Sequence, residues 1–290
     1  MDEKLSHWLR IRETADAAAR SDRLTRAVAA TLPRDVPIHI IDLATGAGSN
    51  VRFLIERLPS RQRWLVVDRS SMLLEHLLER TAAWASVRGF DVEHQANGCQ
   101  IRGDDLDCQV DTRVQNLGTM DDAALFQGCH LVTASALLDL VSEQWIRSLA
   151  AHCRAAGATA LFTLSYDGRN VPSPPEPEDE TVFALFNRHQ LTDKGLGGKA
   201  AGPGAVEAAV RSFSEAGYRI DREATDWVLG PNDREMQESL ISGWAWAAGN
   251  IASEQSARIE SWRERRLAHV EAGRSQLVVG HQDIAAFLGS

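Results

Sequence analysis

The apolar positions of this chain change period several times, and each change marks an element. Leu5, Trp8 and Leu9, then Leu24, Val28 and Leu32, recur at helical spacing until Pro33 stops the pattern. The run IHIIDLATGAGSN (38–50) opens as a β-rich stretch and ends in a glycine turn. After it Val51, Leu54, Ile55 and Leu58 form one apolar helical face, closed by Pro59. A second apolar run, WLVVD (64–68), precedes an amphipathic helix carrying Leu73, Leu74, Leu77, Leu78 and Trp84. Strand and helix alternating in this way predict a parallel sheet covered on both faces.

The polar region 89–116 interrupts the alternation. Asn97-Gly98, between VEHQ and CQIR, predicts a type I′ hairpin ahead of a third core strand near VDTRVQN (110–116). HLVTAS (130–135) and ATALFTLSY (158–166) read as further buried strands. Between them Ser142 caps a helix that presents Trp145, Leu149 and Ala150. A Pro-rich turn at 172–177 leads to TVFALFNRHQ and the glycine-rich DKGLGGKAAGPG (193–204). Val206, Ala209, Val210 and Phe213 then mark a helix ending at Gly217. The remainder reads as a strand near YRIDREATDWVL, two helices over 233–272, and a last strand around 276–281 that pairs antiparallel with the one near 218–229. No repeat or low-complexity linker divides the chain, so a single elaborated α/β domain is expected.

Composition narrows the function classes. The 290 residues carry 31 Lys+Arg against 40 Asp+Glu, a net charge of −9, which argues against a general affinity for nucleic acid. No apolar run approaches the roughly 18 residues of a membrane span, and MDEKLSHWLR has no signal-peptide core; a cytoplasmic location is expected. Four cysteines (Cys99, Cys108, Cys129, Cys153) form no CxxC pair and sit beside no His cluster, so neither a metal site nor a disulfide framework is expected. Eight Trp against two Tyr is unusual, and half of the Trp lie within 227–262. Trp227, Trp244, Trp246 and Trp262 are expected to pack the inserted helices on the core.

The chemistry concentrates in Asp42-Leu-Ala-Thr-Gly46-Ala-Gly48. Glycines after a strand let the backbone approach a ligand, and the following helix offers free N–H groups. Asp68 closes the second strand 20 residues past Gly48, where an acid accepts hydrogen bonds from a ribose diol. A dinucleotide dehydrogenase needs G-x-G-x-x-G, and Val51 occupies the third small-residue position.

An acid followed by this glycine turn, with a second acid after the next strand, resembles the class I S-adenosylmethionine-dependent methyltransferases over about 38–166. The resemblance implies a Rossmann-like, doubly wound, mostly parallel seven-stranded sheet with helical insertions. It divides the single domain into an N-terminal helical lid (1–35), a cofactor-binding core (36–166), a substrate-side insertion (167–204) and C-terminal strands with a helical insertion (205–290). It further implies that S-adenosyl-L-methionine lies along the turn 44–48 (Ala44, Gly46, Gly48). Asp42 would stand near its amino group and Asp68 on its ribose hydroxyls, with Arg69 and Ser70 bordering the adenine. Asn116-Leu117 stands where the family often has an acid and an apolar residue on the adenine amino group. Ala134 and Ser135 match the motif that lines the methyl-donor end. Ala44 replaces the first glycine, which requires that its φ not be positive.

For the substrate side, Trp8, Arg12, Asp16 and Arg20 share one helical face. Arg12 or Arg20 is the candidate for the cofactor carboxylate, and Asp16 reads as a solvated charge. His189, Tyr166 and Asp139 are candidate catalytic residues. His189 has an intrinsic pKa suited to proton transfer, Tyr166 ends the fifth strand, and Asp139 directly follows HLVTAS. Lys199 is followed by no Ser or Thr, so GLGGKAAG is not a P-loop. The function expected is methyl transfer to an O or N atom of a small molecule. A non-catalytic metabolite-binding protein of the same fold and a nicotinamide-dependent oxidoreductase are the alternatives.

Overall fold

A computed structural model describes residues 2–289. The N-terminal helical stretch is two helices, α1 (Asp2–Ala19) and α2 (Asp22–Thr31), broken where Ser21 caps α2 by accepting a hydrogen bond from the Leu24 N–H. The core then alternates as β1 (Ile38–Leu43), α3 (Ser49–Ile55), β2 (Arg61–Asp68) and α4 (Ser71–Val87). The antiparallel strands β3 (Asp91–Gln95) and β4 (Gly98–Arg102) lead to β5 (Asp107–Val114). Next come β6 (Leu131–Ser135), α5 (Glu143–Ala156) and a long β7 (Thr159–Ser173). The remainder is α6 (Asp179–Gln190), α7 (Ala205–Glu215), β8 (Tyr218–Ala224), β9 (Trp227–Leu229), α8 (Arg234–Ile251), α9 (Ser256–Glu271) and β10 (Gln276–Leu288).

All ten strands join one sheet in the order β3-β4-β5-β2-β1-β6-β7-β10-β8, with β9 paired to β10. Seven of them, β5-β2-β1-β6-β7-β10-β8, form the expected mostly parallel α/β sheet. β5, β2, β1, β6 and β7 run parallel, and β10 is antiparallel to both β7 and β8. The β3–β4 hairpin extends one edge. Adjacent strand residues face opposite layers, as the two-residue period of a strand requires. Ile40, Val66 and Leu131 pack under α2, α3 and α4, while Ile41, Val67 and Val132 pack under α5 and α7.

Two expectations need correction. Gln95 pairs with Gly98, so the hairpin turn is Ala96-Asn97, and neither residue takes a positive φ. Gly98 instead lies within β4, where a Cβ would stand 2.1 Å from the Val110 carbonyl oxygen. The fifth strand also runs past residue 166 to Ser173, because the first half of β10 (Gln276–Val279) pairs with Asn170–Ser173 and the chain turns only after it.

The insertions form a third apolar cluster. Trp227, Trp244 and Trp262 are buried there with Phe183, Ile241 and Ile259, and Trp8 of α1 packs against it. Trp246 differs from the expectation for its group: it is 65% exposed. At the centre of α9, Arg266 is fully buried and ion-paired with Asp179 at the start of α6, tying the two insertions together.

Candidate functional site

The glycine turn leaves β1 with three left-handed residues: Ala44 (φ +50°), Gly46 (φ +57°) and Gly48 (φ +81°). The requirement placed on Ala44 is therefore not met. An alanine is held in a conformation that glycine adopts at no steric cost, because the chain must reverse within five residues between β1 and α3. The reversal is pinned from β2. The Thr45 N–H donates to the Val67 carbonyl (3.0 Å), and the Gly46 N–H donates to Asp68 Oδ2 (2.9 Å). Asp68 Oδ1 accepts from the Ser70 N–H (3.0 Å), so one carboxylate ties the turn to the start of α4.

Asp42 stands behind the turn, fully buried. Its carboxylate accepts from Thr45 Oγ1 (2.5 Å) and Asn50 Nδ2 (2.7 Å). Burial pushes its pKa up to about 6, against the pull of those two hydrogen bonds and of Arg20. Arg20, also buried, donates to Asn50 Oδ1 (2.8 Å) and Ser135 Oγ (3.0 Å) and lies over the Phe53 ring. Asp42, Asn50, Arg20 and Ser135 thus form one connected polar layer beneath the turn.

Above the layer, at the carboxyl ends of the parallel strands, lies a cavity of about 360 Å³. Its walls are Ala44, Gly46, Asp68, Arg69, Ser70 and Leu73 on one side, and Gln115, Leu117, Ser135 and Ala136 on another. Leu137, Leu140, Lys194 and Leu196 form a third, and the roof is Leu5, Trp8, Leu9 and Arg12 of α1. Leu9 lies so close to the turn that a Cβ on Gly46 would stand 2.9 Å from its Cδ1. The roof is held by a bidentate ion pair of Glu13 with the buried Arg52 (2.8 Å for each hydrogen bond) and by the Ser6–His76 hydrogen bond (2.9 Å). A larger hollow of about 660 Å³ lies at the amino ends of β2 and β5, among Arg88, Arg102 and Asp104, away from this turn.

The residues singled out from sequence separate by position. Ala44, Gly46, Asp68, Arg69 and Leu117 line the cavity. Asp42, Gly48, Ala134 and Arg20 are buried behind its wall. Asn116 is off the wall and exposed, its Oδ1 accepting from the Gly118 N–H (2.8 Å), because β5 ends at Val114 and directs Gln115 and Leu117 inward instead. Arg12, not Arg20, faces the cavity. It is buried and paired with Asp16 (3.0 Å), which accepts from Trp227 Nε1 (3.1 Å). Asp16 is thus an interior carboxylate, 1% exposed, rather than a solvated charge.

None of the three catalytic candidates lines the cavity, although Asp139 lies between two residues that do. Tyr166 Oη donates to Asn187 Oδ1 (2.8 Å) and accepts from Asn170 Nδ2 (2.5 Å), and burial raises its pKa. His189 Nδ1 lies 3.3 Å from Lys194 Nζ, and burial together with that ammonium lowers its pKa. With Nδ1 accepting from an ammonium, the ring proton stays on Nε2, so His189 presents a donor rather than a base. Asp139 is buried between Leu137 and Leu140, and desolvation pushes its pKa up to about 6.

Sequence reasoning missed Lys194 and Leu196 as wall residues. The hints were the expected substrate-side insertion 167–204 and the glycine content of 193–204, whose left-handed Gly195, Gly197 and Gly198 fold this loop against Ser142 and Trp145. Among the described residues no group of His, Cys, Asp and Glu could hold a metal ion, and no helix is long and apolar enough to cross a membrane.

No protein-family model matches the sequence, and no curated protein matches it. Among solved structures, the chain is similar to the cyclopropane synthase MmaA2 from Mycobacterium tuberculosis: TM-score 0.46, 10% identity, 91% of this chain and 81% of that one. It is similar to phosphoethanolamine N-methyltransferase 2 of Haemonchus contortus, solved with S-adenosyl-L-methionine: TM-score 0.45, 13% identity, 100% of this chain and 58% of that one. An O-methyltransferase family protein from Burkholderia thailandensis gives TM-score 0.44 and 14% identity over 97% of this chain and 57% of that one. These are distant likenesses.

Proposed function

We propose that this protein is a class I methyltransferase that uses S-adenosyl-L-methionine to methylate a small molecule. The observation that carries the reading is the cavity at the carboxyl ends of β1, β2 and β6, bounded at once by the left-handed turn 44–48 and by Asp68. Ligands of open α/β sheets bind at that edge.

The residues present fit the cofactor. Each Asp68 oxygen accepts one backbone N–H and keeps a lone pair for a ribose hydroxyl. Leu73 and Leu117 supply apolar faces for an adenine, with Gln115 beside them in place of Asn116. Arg12, pre-oriented by Asp16 and Trp227, is the wall cation suited to a carboxylate. Asp42, Asn50 and Arg20 act as positioning residues that hold the turn from behind. Bound there, the cofactor supplies a sulfonium-activated methyl group. The chain contributes orientation and exclusion of water, for which α1 is the roof. Val51 is fully buried within α3, filling the position that a dinucleotide fingerprint keeps small, which argues against a nicotinamide cofactor.

Thermal unfolding tests the reading. A ligand at 100 times its Kd adds about 2.7 kcal/mol of stability. S-adenosylhomocysteine is expected to raise Tm and NAD to leave it unchanged; the reverse pattern overturns the assignment.

A further inference from the structure

Asp139 sits in a short 3-10 turn (Leu138–Leu140) just after β6, and its neighbours Leu137 and Leu140 both line the cavity. It is 6% exposed, and its Oδ1 is buried without a hydrogen-bond partner. Arg12 in the roof and Lys194 in the wall of that cavity are the cations that favour its charged form, together with the backbone N–H groups of Asp139 itself and Tyr166. Both are engaged elsewhere: Arg12 by Asp16 at 3.0 Å, Lys194 by the His189 carbonyl and Thr192 Oγ1, each at 2.9 Å.

A carboxylate with one unpaired oxygen therefore stands between two residues that line the cavity. Buried acceptors are ordinarily satisfied, and Asp139 Oδ1 has no hydrogen-bond partner. A carboxylate out of water is best matched by a cationic donor, because charge-assisted hydrogen bonds are roughly twice as strong as neutral ones. An alcohol would fill one acceptor and leave the charge uncompensated. Resting on the cavity as the methyl-donor and substrate site, we propose that Asp139 is a specificity-determining residue for an amine-bearing substrate. Its carboxylate receives the N–H groups of a primary or secondary ammonium.

The test uses the full chain saturated with S-adenosylhomocysteine, titrated with phenethylamine against phenethyl alcohol and with ethanolamine against ethylene glycol, with Tm as the readout. Each amine is expected to raise Tm where its alcohol does not. Asp139→Asn should weaken the amine effect at least tenfold while shifting S-adenosylhomocysteine affinity less than twofold. Should that variant not fold, the wild-type amine effect measured at pH 8 and pH 5 replaces it, and it should fall at least fivefold as the carboxyl is protonated. Amines that do no better than their alcohols overturn the proposal, as does an amine effect that survives both Asp139→Asn and the pH change. If S-adenosylhomocysteine itself does not bind, the earlier reading falls alone. The amine–alcohol comparison on the unliganded protein then still decides this one.

Discussion

Among single residues, the surroundings of two carboxylates assign them different work. Asp68 binds two backbone N–H groups at the rim, and Asp42 binds two side chains beneath it. Asp68→Ala is expected to weaken S-adenosylhomocysteine binding by about 1–3 kcal/mol, the range for losing hydrogen bonds to a charged group, as read by calorimetry. Asp42 has a folded pKa of about 6 against an ordinary 3.8. Between those values the folded protein binds more protons than the unfolded chain, so stability falls as pH rises from about 4 to about 6 and is flat above. Denaturant unfolding of Asp42→Asn across that range should show a shallower fall. An unchanged slope would remove Asp42 as its source. Ala44→Gly relieves the left-handed alanine at the cost of a more flexible unfolded chain. The expected change is a stabilisation of at most about 1 kcal/mol, with Ala44→Val strongly destabilising by comparison.

Among the elements, α1 roofs the cavity that a ligand must enter. Glu13 holds it to Arg52, whose side chain is 5% exposed against 34% for Glu13. Glu13→Ala leaves that guanidinium buried and unpaired, and an overall loss of about 1–3 kcal/mol is expected. Hydrogen exchange should speed up first in α1, and equal protection across the domain would show that α1 is not a separable roof. The helical face of Trp8, Arg12, Asp16 and Arg20 was legible in the spacing. Which arginine meets the cavity was not, since that depends on the angle at which α1 crosses the turn. Asn116 illustrates the same limit: the strand end could be placed within two residues, and a strand reverses the direction of its side chains with every residue.

At the scale of the whole molecule, the alternating apolar periods foretold the two-faced parallel core and the antiparallel return of the last strand. Both follow from local burial and from connection rules. Asp139 and the insertion 167–204 stood out in the sequence, but the packing of Lys194 and Leu196 against the cavity was not legible. That packing arises where 193–204 folds back onto Val141 and Ser142, a long-range contact that leaves no period in the sequence. The net charge of −9 takes on structure as well. Asp42, Asp139 and Asp16 are interior carboxylates, and Asp68 is 7% exposed at the cavity rim. The most direct test of the central claim is calorimetric titration of the protein with S-adenosylmethionine and with NAD. The account predicts one site per chain for S-adenosylmethionine, with Kd on the order of 1–100 µM, about −5 to −8 kcal/mol, weakened in Asp68→Ala. No heat with S-adenosylmethionine at millimolar concentration, or binding of NAD in its place, would contradict it.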